Sequence, residues 1–314
     1  MKIQDINTIA IIGTGFIGPG IAQVFASKGF QVRMMDIKAE LFPLAREKLK
    51  ANLLQLAEAG IMPHNEIEPA IQRVQYTTDM GVAVAPAQVV IEAVSENMGL
   101  KQKIFQELDS LCSLDTILCT NTSVMSISEI ASKAQHRERI VGTHFWNPPY
   151  LIPLVEVVKG HDTSEATLNL TFDLMQKAGK HPVKCLKDVP GFIANRLQHA
   201  LWREAISIVE NGIADPATVD EAIKNGFAVR LPVLGPLENA DMIGLELTFS
   251  IHDYILKSLE DSHQPSRLLT EKIQKGEVGC KSGQGFYHWT PEEAKQLSNK
   301  LSSFLINRLK EQQP

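Results

Sequence analysis

Ser123, His144, Glu156 and Asn195 are polar residues in stretches where an apolar strand or helix gains nothing from a polar side chain. His144 ends the run Ile140-Val141-Gly142-Thr143 and leads into Phe145-Trp146-Asn147-Pro148-Pro149. Glu156 is embedded in Leu154-Val155-Glu156-Val157-Val158, where a charge is costly unless a partner such as a histidine compensates it. Histidine has the working range for proton transfer near neutral pH, with an ordinary pKa of ~6.5. A fixed carboxylate beside it sets the tautomer and stabilises the imidazolium that forms. Ser123 closes Thr120-Asn121-Thr122-Ser123 at the end of a strand, and Asn195 lies in the first turns of a helix after Pro190-Gly191. Both can hydrogen-bond and orient a substrate oxygen. Taken singly, each has an ordinary explanation: a satisfied structural histidine, a helix-capping asparagine, a strand glutamate facing solvent.

A second constellation handles phosphate. Gly13-Thr14-Gly15-Phe16-Ile17-Gly18 is a GxGxxG, a weak signal alone that gains weight from its context. It follows an apolar strand, opens a helix containing Ile21, Ala22 and Val24, and precedes a second strand ending in Asp36. Gly13 permits the tight turn, Gly15 lets backbone amides approach a pyrophosphate, and Gly18 lets helix and strand pack closely. Asp36 falls where a carboxylate accepts hydrogen bonds from the ribose hydroxyls of adenosine and repels a 2'-phosphate, so the cofactor expected is NAD and not NADP. Arg33, by strand alternation, is not on the ribose side, whereas Lys38 weakens the preference.

The elements that must hold these residues follow from hydrophobic period. Strands are expected at residues 8–13, 31–36, 74–77, 89–94, 116–121, 140–145, 154–158 and 182–186, with helices at 17–28, 39–59, 100–112 and 165–178. This alternation makes an α/β fold: an N-terminal Rossmann-type, doubly wound, mostly parallel sheet. After Asp188-Val189-Pro190-Gly191 the segments become helix-periodic, and an all-helical C-terminal domain is expected, with helices at 192–211, 215–225, 241–259 and the C-terminus. The domains are thus 1–189, binding the dinucleotide, and 190–314, binding substrate and the partner subunit.

The whole-chain figures exclude other classes. Among 314 residues, 31 basic against 36 acidic side chains give a net charge of −5 with no basic block, which argues against nucleic acid as a partner. No stretch approaches the ~20 apolar residues of a membrane span, and the N-terminus has no export signal, so a cytoplasmic protein is expected. Cys112, Cys119, Cys185 and Cys280 lack metal-ligand spacing and are expected to be reduced, buried thiols, with no metal.

With these residues in place, the sequence resembles the L-3-hydroxyacyl-CoA dehydrogenase family over nearly its whole length. The resemblance is carried by Gly13 to Gly18, Glu92-Ala93-Val94-Ser95-Glu96-Asn97, Asn121-Thr122-Ser123, His144-Phe145-Trp146-Asn147-Pro148, Leu154-Val155-Glu156-Val157 and Pro190-Gly191-Phe192-Ile193-Ala194-Asn195-Arg196. Gly235-Pro236-Leu237-Glu238 and Lys281-Ser282-Gly283-Gln284-Gly285-Phe286-Tyr287 complete it. It implies Ser123, His144, Glu156 and Asn195 as the active-site set, with His144 the general base in oxidation of a 3-hydroxyl group. It also implies Glu96, Lys101, Ser123, Asn147 and Lys281 as cofactor contacts beside Gly13, Gly15, Phe16, Ile17, Gly18 and Asp36.

Two features bear on the substrate. The breadth of the resemblance favours an L-3-hydroxyacyl-CoA, as in fatty-acid β-oxidation. Members that use CoA usually carry lysines near the end of the long helix after the second strand, where they meet the CoA phosphates. Here that stretch is Leu53-Leu54-Gln55-Leu56-Ala57-Glu58-Ala59-Gly60. Asn147 to Leu154 and Phe227-Ala228-Val229-Arg230 look like branches acting on free hydroxy acids: the lambda-crystallin or gulonate dehydrogenase type, carnitine dehydrogenase, and a pyridoxine-degradation dehydrogenase. Arg230 either holds a free carboxylate bidentately or is a surface or interdomain arginine. A homodimer through the helical domain is expected from the apolar content of Phe192 to Val209 and Ile243 to Leu259. A non-catalytic, NAD-binding crystallin-like protein is the alternative from another class, and the intact serine, histidine, glutamate and asparagine set argues against it.

Overall fold

Short runs of β-branched residues bounded by turns become the strands of one sheet in the computed structural model, which describes residues 1–311. Among these residues the strands are β1 (Thr8–Ile12), β2 (Gln31–Met35), β3 (Val74–Thr77), β4 (Val89–Glu92), β5 (Ile117–Thr120), β6 (Ile140–Phe145), β7 (Leu154–Val158) and β8 (His181–Cys185). Their order is β3-β2-β1-β4-β5-β6-β7-β8, parallel at every junction except β6 with β7. The reversal of order at β1 is the switch point at which open parallel sheets bind ligands.

Helices cover both faces, which is why the strands read as continuous apolar runs. Ile9 and Ile11 of β1 point into one core with α1 (Gly18–Ala26), α2 (Phe42–Glu58), α3 (Ile67–Gln72) and α7 (Glu165–Lys177). Ala10 and Ile12 point into the other with α4 (Met80–Val84), α5 (Met98–Leu111) and α6 (Ile127–Ile130). Phe25 fills the first core and Phe105 the second, each with no exposed surface. The short α3, α4 and α6 lie in stretches the hydrophobic period left unassigned, because one or two turns give too few repeats to register.

By internal contacts the chain divides into Met1–Arg196 with Leu301–Pro314, and Leu197–Lys300. Helix α8 (Ala194–Glu210) leads into the second unit, which continues with α9 (Pro216–Asn225), α10 (Pro236–Ile243), α11 (Leu245–Ile255) and α12 (Arg267–Gln274). The single helix expected at 241–259 is two, since Gly244 takes φ +93° and breaks the ladder between α10 and α11. This unit is helical apart from isolated antiparallel bridges that join Gly279 to Gln284 and Gln284 to His288.

The last helix, α13 (Pro291–Glu311), starts in the second unit and ends in the first. There Leu305, Ile306 and Leu309 pack with Leu56, Ala59, Ile61 and Met62 at the end of α2, and with Tyr150 and Leu151. Among the described residues no helix is long and apolar enough to cross a membrane. Cys119 and Cys185 are buried, but Cys112 is only half-buried and Cys280 is exposed, because it sits in a turn and not in a packed element.

Candidate active site

The antiparallel register of β6 and β7 sets His144 directly opposite Glu156. In that pairing His144 Nδ1 lies 2.7 Å from Glu156 Oε2, with both side chains buried. The same oxygen accepts from Trp146 Nε1 at 3.3 Å. Glu156 Oε1 accepts from the backbone amides of Ile193 and Ala194 at 2.9 and 3.0 Å. Burial pushes the Glu156 carboxyl up, but the bonds from His144, Ala194 and Ile193 outweigh it and hold the group below the usual carboxylate range. A buried carboxylate is an acceptor only, so Nδ1 carries a proton and donates it, leaving the Nε2 lone pair free for chemistry.

The two amides reach Glu156 through a backbone feature at Phe192, whose φ of +51° lies in the left-handed region that side chains rarely adopt. This bend buries the Phe192 ring 5.7 Å from the imidazole and turns the start of α8 toward the carboxylate. Three residues after Phe192, Asn195 donates from Nδ2 to the carbonyl of Ser123 at 2.9 Å. Ser123 follows β5, and Asn121 at the same edge accepts the Phe145 amide at 2.8 Å, tying the ends of β5 and β6 together. Ser123, His144, Glu156 and Asn195 thus belong to one connected site. Among the described residues neither the Ser123 hydroxyl nor His144 Nε2 has a hydrogen-bond partner, so both remain available to a ligand.

A second network runs beneath this edge. Lys101 is 1% exposed, and its ammonium contacts both oxygens of Glu92 at 2.7 and 2.9 Å and Glu96 Oε2 at 3.2 Å. Glu92 also accepts from Thr120 Oγ1 and the Val94 amide. Glu96 Oε1 accepts from the Ser123 amide at 2.6 Å and from Thr122 Oγ1. Lys101 therefore reaches the edge only through Glu96, which holds the Ser123 amide. The cost of a charge in an apolar strand marks Glu92 as plainly as it marks Glu156, a signal the sequence reading does not use. Trp146 and Phe192 were missed for another reason: an aromatic beside an apolar run reads as core.

At the dinucleotide turn, Gly13 has φ +112°, and a Cβ there would stand 2.6 Å from the Ala93 carbonyl oxygen. Over Gly15 nothing lies within 4 Å of a Cβ position, which leaves open the approach a pyrophosphate needs. Phe16 is exposed beside it and Ile17 half-buried. Asp36 is held in place: Oδ2 accepts from the Thr14 amide and hydroxyl at 2.9 and 2.8 Å, and Oδ1 from the Lys38 amide. The Arg33 guanidinium pairs instead with Gln75 on β3. These residues fit a dinucleotide with free ribose hydroxyls. Asn147 is exposed just beyond β6. Arg230 and Lys281 belong to the second unit and are exposed there. Among the described residues no group of three His, Cys, Asp or Glu is placed to hold a metal ion.

Comparison with known proteins agrees with this geometry. Residues 8–189 match the 3-hydroxyacyl-CoA dehydrogenase NAD-binding domain, and residues 191–289 match that family's C-terminal domain. A 5-formyl-3-hydroxy-2-methylpyridine 4-carboxylate 5-dehydrogenase of Mesorhizobium japonicum is 35% identical over 302 residues, covering 96% of each chain. A probable 3-hydroxybutyryl-CoA dehydrogenase of Bacillus subtilis is 39% identical over 287 residues, 91% of this chain and 98% of the relative. A crystal structure of a 5-formyl-3-hydroxy-2-methylpyridine 4-carboxylic acid 5-dehydrogenase, described as an NAD⁺-dependent dismutase, superposes with TM-score 0.91 at 35% identity, covering 98% of this chain and 100% of the other. Fold, cofactor turn and matched domains converge: the chain belongs to the 3-hydroxyacyl-CoA dehydrogenase family and is an NAD-dependent oxidoreductase.

Proposed function

We propose that the chain oxidises the hydroxyl-bearing carbon of a compact free carboxylate, with His144 as general base. His144 Nε2 takes the hydroxyl proton, and Glu156 stabilises the imidazolium through Nδ1 without itself accepting the proton. Ser123 and Asn195 orient the substrate oxygen. Bound NAD supplies the hydride-accepting chemistry; Asp36, Gly13, Gly15, Phe16, Ile17 and Gly18 would hold its adenosine and pyrophosphate end. Glu96, Ser123 and Asn147 would reach the nicotinamide half, Lys101 would act through Glu96, and Lys281 would contribute from the second unit.

The observation that carries the free-acid reading is the packing of α13. Its last turns place Leu305, Ile306 and Leu309 on the end of α2, the stretch where CoA-using members present lysines to phosphate. Gln55 in that stretch accepts instead from the Tyr150 hydroxyl. The C-terminal family match ends at residue 289, before α13, whereas the pyridine-carboxylate dehydrogenase aligns over 96% of the chain. Arg230 is the cation we assign to the substrate carboxylate. A second reading, an L-3-hydroxyacyl-CoA substrate, draws on the 39% identity to the Bacillus subtilis protein. The test is to assay acetoacetyl-CoA reduction in parallel with a panel of free hydroxy acids and pyridine carboxylates. Turnover of a free acid with no acetoacetyl-CoA activity is expected; efficient acetoacetyl-CoA reduction, falling as salt rises, would establish the second reading in its place.

A further inference from the structure

Away from the active site, a cavity of about 500 Å³ opens in the first unit between α1, the end of α2, residues 149–153, residues 178–180 and the last turn of α13. That volume is within the range of small-molecule sites. Leu56, Met62, Pro153 and Leu309 give it apolar walls.

Its polar lining is unsatisfied. Gln23, on α1, is 1% exposed, yet neither its amide nitrogen nor its amide oxygen has a hydrogen-bond partner among the described residues. One helical turn on, the buried Ser27 hydroxyl is also unpartnered. Leaving such groups unpaired is costly, so native structures seldom keep them without a ligand or water. Facing the same space is Lys180, half-buried, with its ammonium donating to the Pro149 and Ile152 carbonyls. Two of its three N–H groups are thereby used. No carboxylate offsets its charge among the described residues, and burial alone pulls its pKa down to about 8. Lys28 and Glu66, both exposed, are the remaining charged groups of the lining.

A half-buried cation without a counter-ion, an amide and a hydroxyl without partners, and apolar walls together suit an amphiphilic anion. We propose that this cavity is a second binding site, for a monocarboxylate carrying an apolar tail, its carboxylate taken by Lys180, Gln23 Nε2 and Ser27 Oγ. The cavity lies apart from the catalytic set: His144, Glu156, Ser123 and Asn195 do not line it.

The test is isothermal titration of the NADH-loaded protein with octanoate, with octan-1-ol as the neutral control. Octanoate should bind one per chain with a Kd on the order of 0.1 mM, and octan-1-ol at least about tenfold more weakly. Gln23→Leu and Ser27→Ala should each weaken octanoate by about tenfold, while His144→Ala leaves it unchanged. Lys180→Met should abolish binding, but Lys180 also tethers residues 149–152, so the two α1 variants carry the test. No heat from octanoate, equal binding of octan-1-ol, equal binding by Gln23→Leu, or loss of binding in His144→Ala would each overturn the proposal.

Discussion

His144 is useful as a base only in one tautomer, and the residues around it are spent on fixing that tautomer. Glu156 accepts four hydrogen bonds, and one of them comes from Nδ1. We expect His144→Ala to lower kcat by roughly 10²- to 10⁴-fold while NADH still binds, and Glu156→Gln to do so less severely. A His144 variant retaining half the wild-type rate under chemistry-limited conditions contradicts the role. Glu156 also has a stability signature. Its carboxyl is depressed in the folded protein, so the stability it contributes is present above the unfolded value of ~4.3 and is lost as pH falls from there toward the folded value. The Tm gap between wild type and Glu156→Gln should therefore be widest near neutral pH and shrink on acidification below about pH 4. A gap constant from pH 7 to pH 3 contradicts this. Asp36 makes a separate prediction: kcat/KM with NAD should exceed that with NADP by at least about tenfold, a ~1.4 kcal/mol preference, and equal values would remove Asp36 from its place on the ribose.

At the scale of elements, α13 is the part that lies beyond the family's two matched domains. Ile306 is buried against Leu56 and Leu151, and replacing Leu305 and Ile306 together by alanine should loosen the helix from α2. Free CoA should not inhibit the wild-type enzyme and should begin to inhibit this double variant, with NADH binding preserved. Salt-sensitive inhibition of the wild type by CoA would show that α13 leaves the end of α2 open. None of this was readable from the amphipathic period of the C-terminal segment, which announces a helix with an apolar face but not what that face covers. Gly244 is a similar case, since a lone glycine in a helical pattern signals a break only when its φ is known. By contrast the strands of the sheet were legible to within one or two residues at their ends, most plainly the central ones, whose two faces are both buried. Ser123, His144, Glu156 and Asn195 could each be named from the cost of a polar group in an apolar setting. Their assembly could not, because opposition of His144 and Glu156 depends on the register across residues 146–153, and a slip of one would turn Glu156 to the other face.

For the whole molecule, the second unit leaves large apolar side chains uncovered. Leu237, Met242, Phe249 and Tyr254 on α10 and α11 are 81%, 75%, 74% and 86% exposed. Monomeric proteins rarely leave apolar patches beyond a few hundred Å² in water, and the surplus here lies on consecutive helices. We propose that it is buried by a second copy of the chain in a closed, two-fold arrangement, which is the commonest way a single self-complementary face is satisfied. Light scattering at micromolar concentration should give twice the chain mass of 34.7 kDa. Phe249→Glu places an unpaired charge in that face, and it should shift the mass toward the monomer as the protein is diluted. The turn at Gly13 to Gly18 and Asp36 belong to the first unit, so NADH binding should survive the substitution, separating loss of assembly from loss of fold. A monomeric mass for the wild-type chain, or a dimer indifferent to Phe249→Glu and equally to Met242→Glu and Tyr254→Glu, would place the subunit contact elsewhere or nowhere.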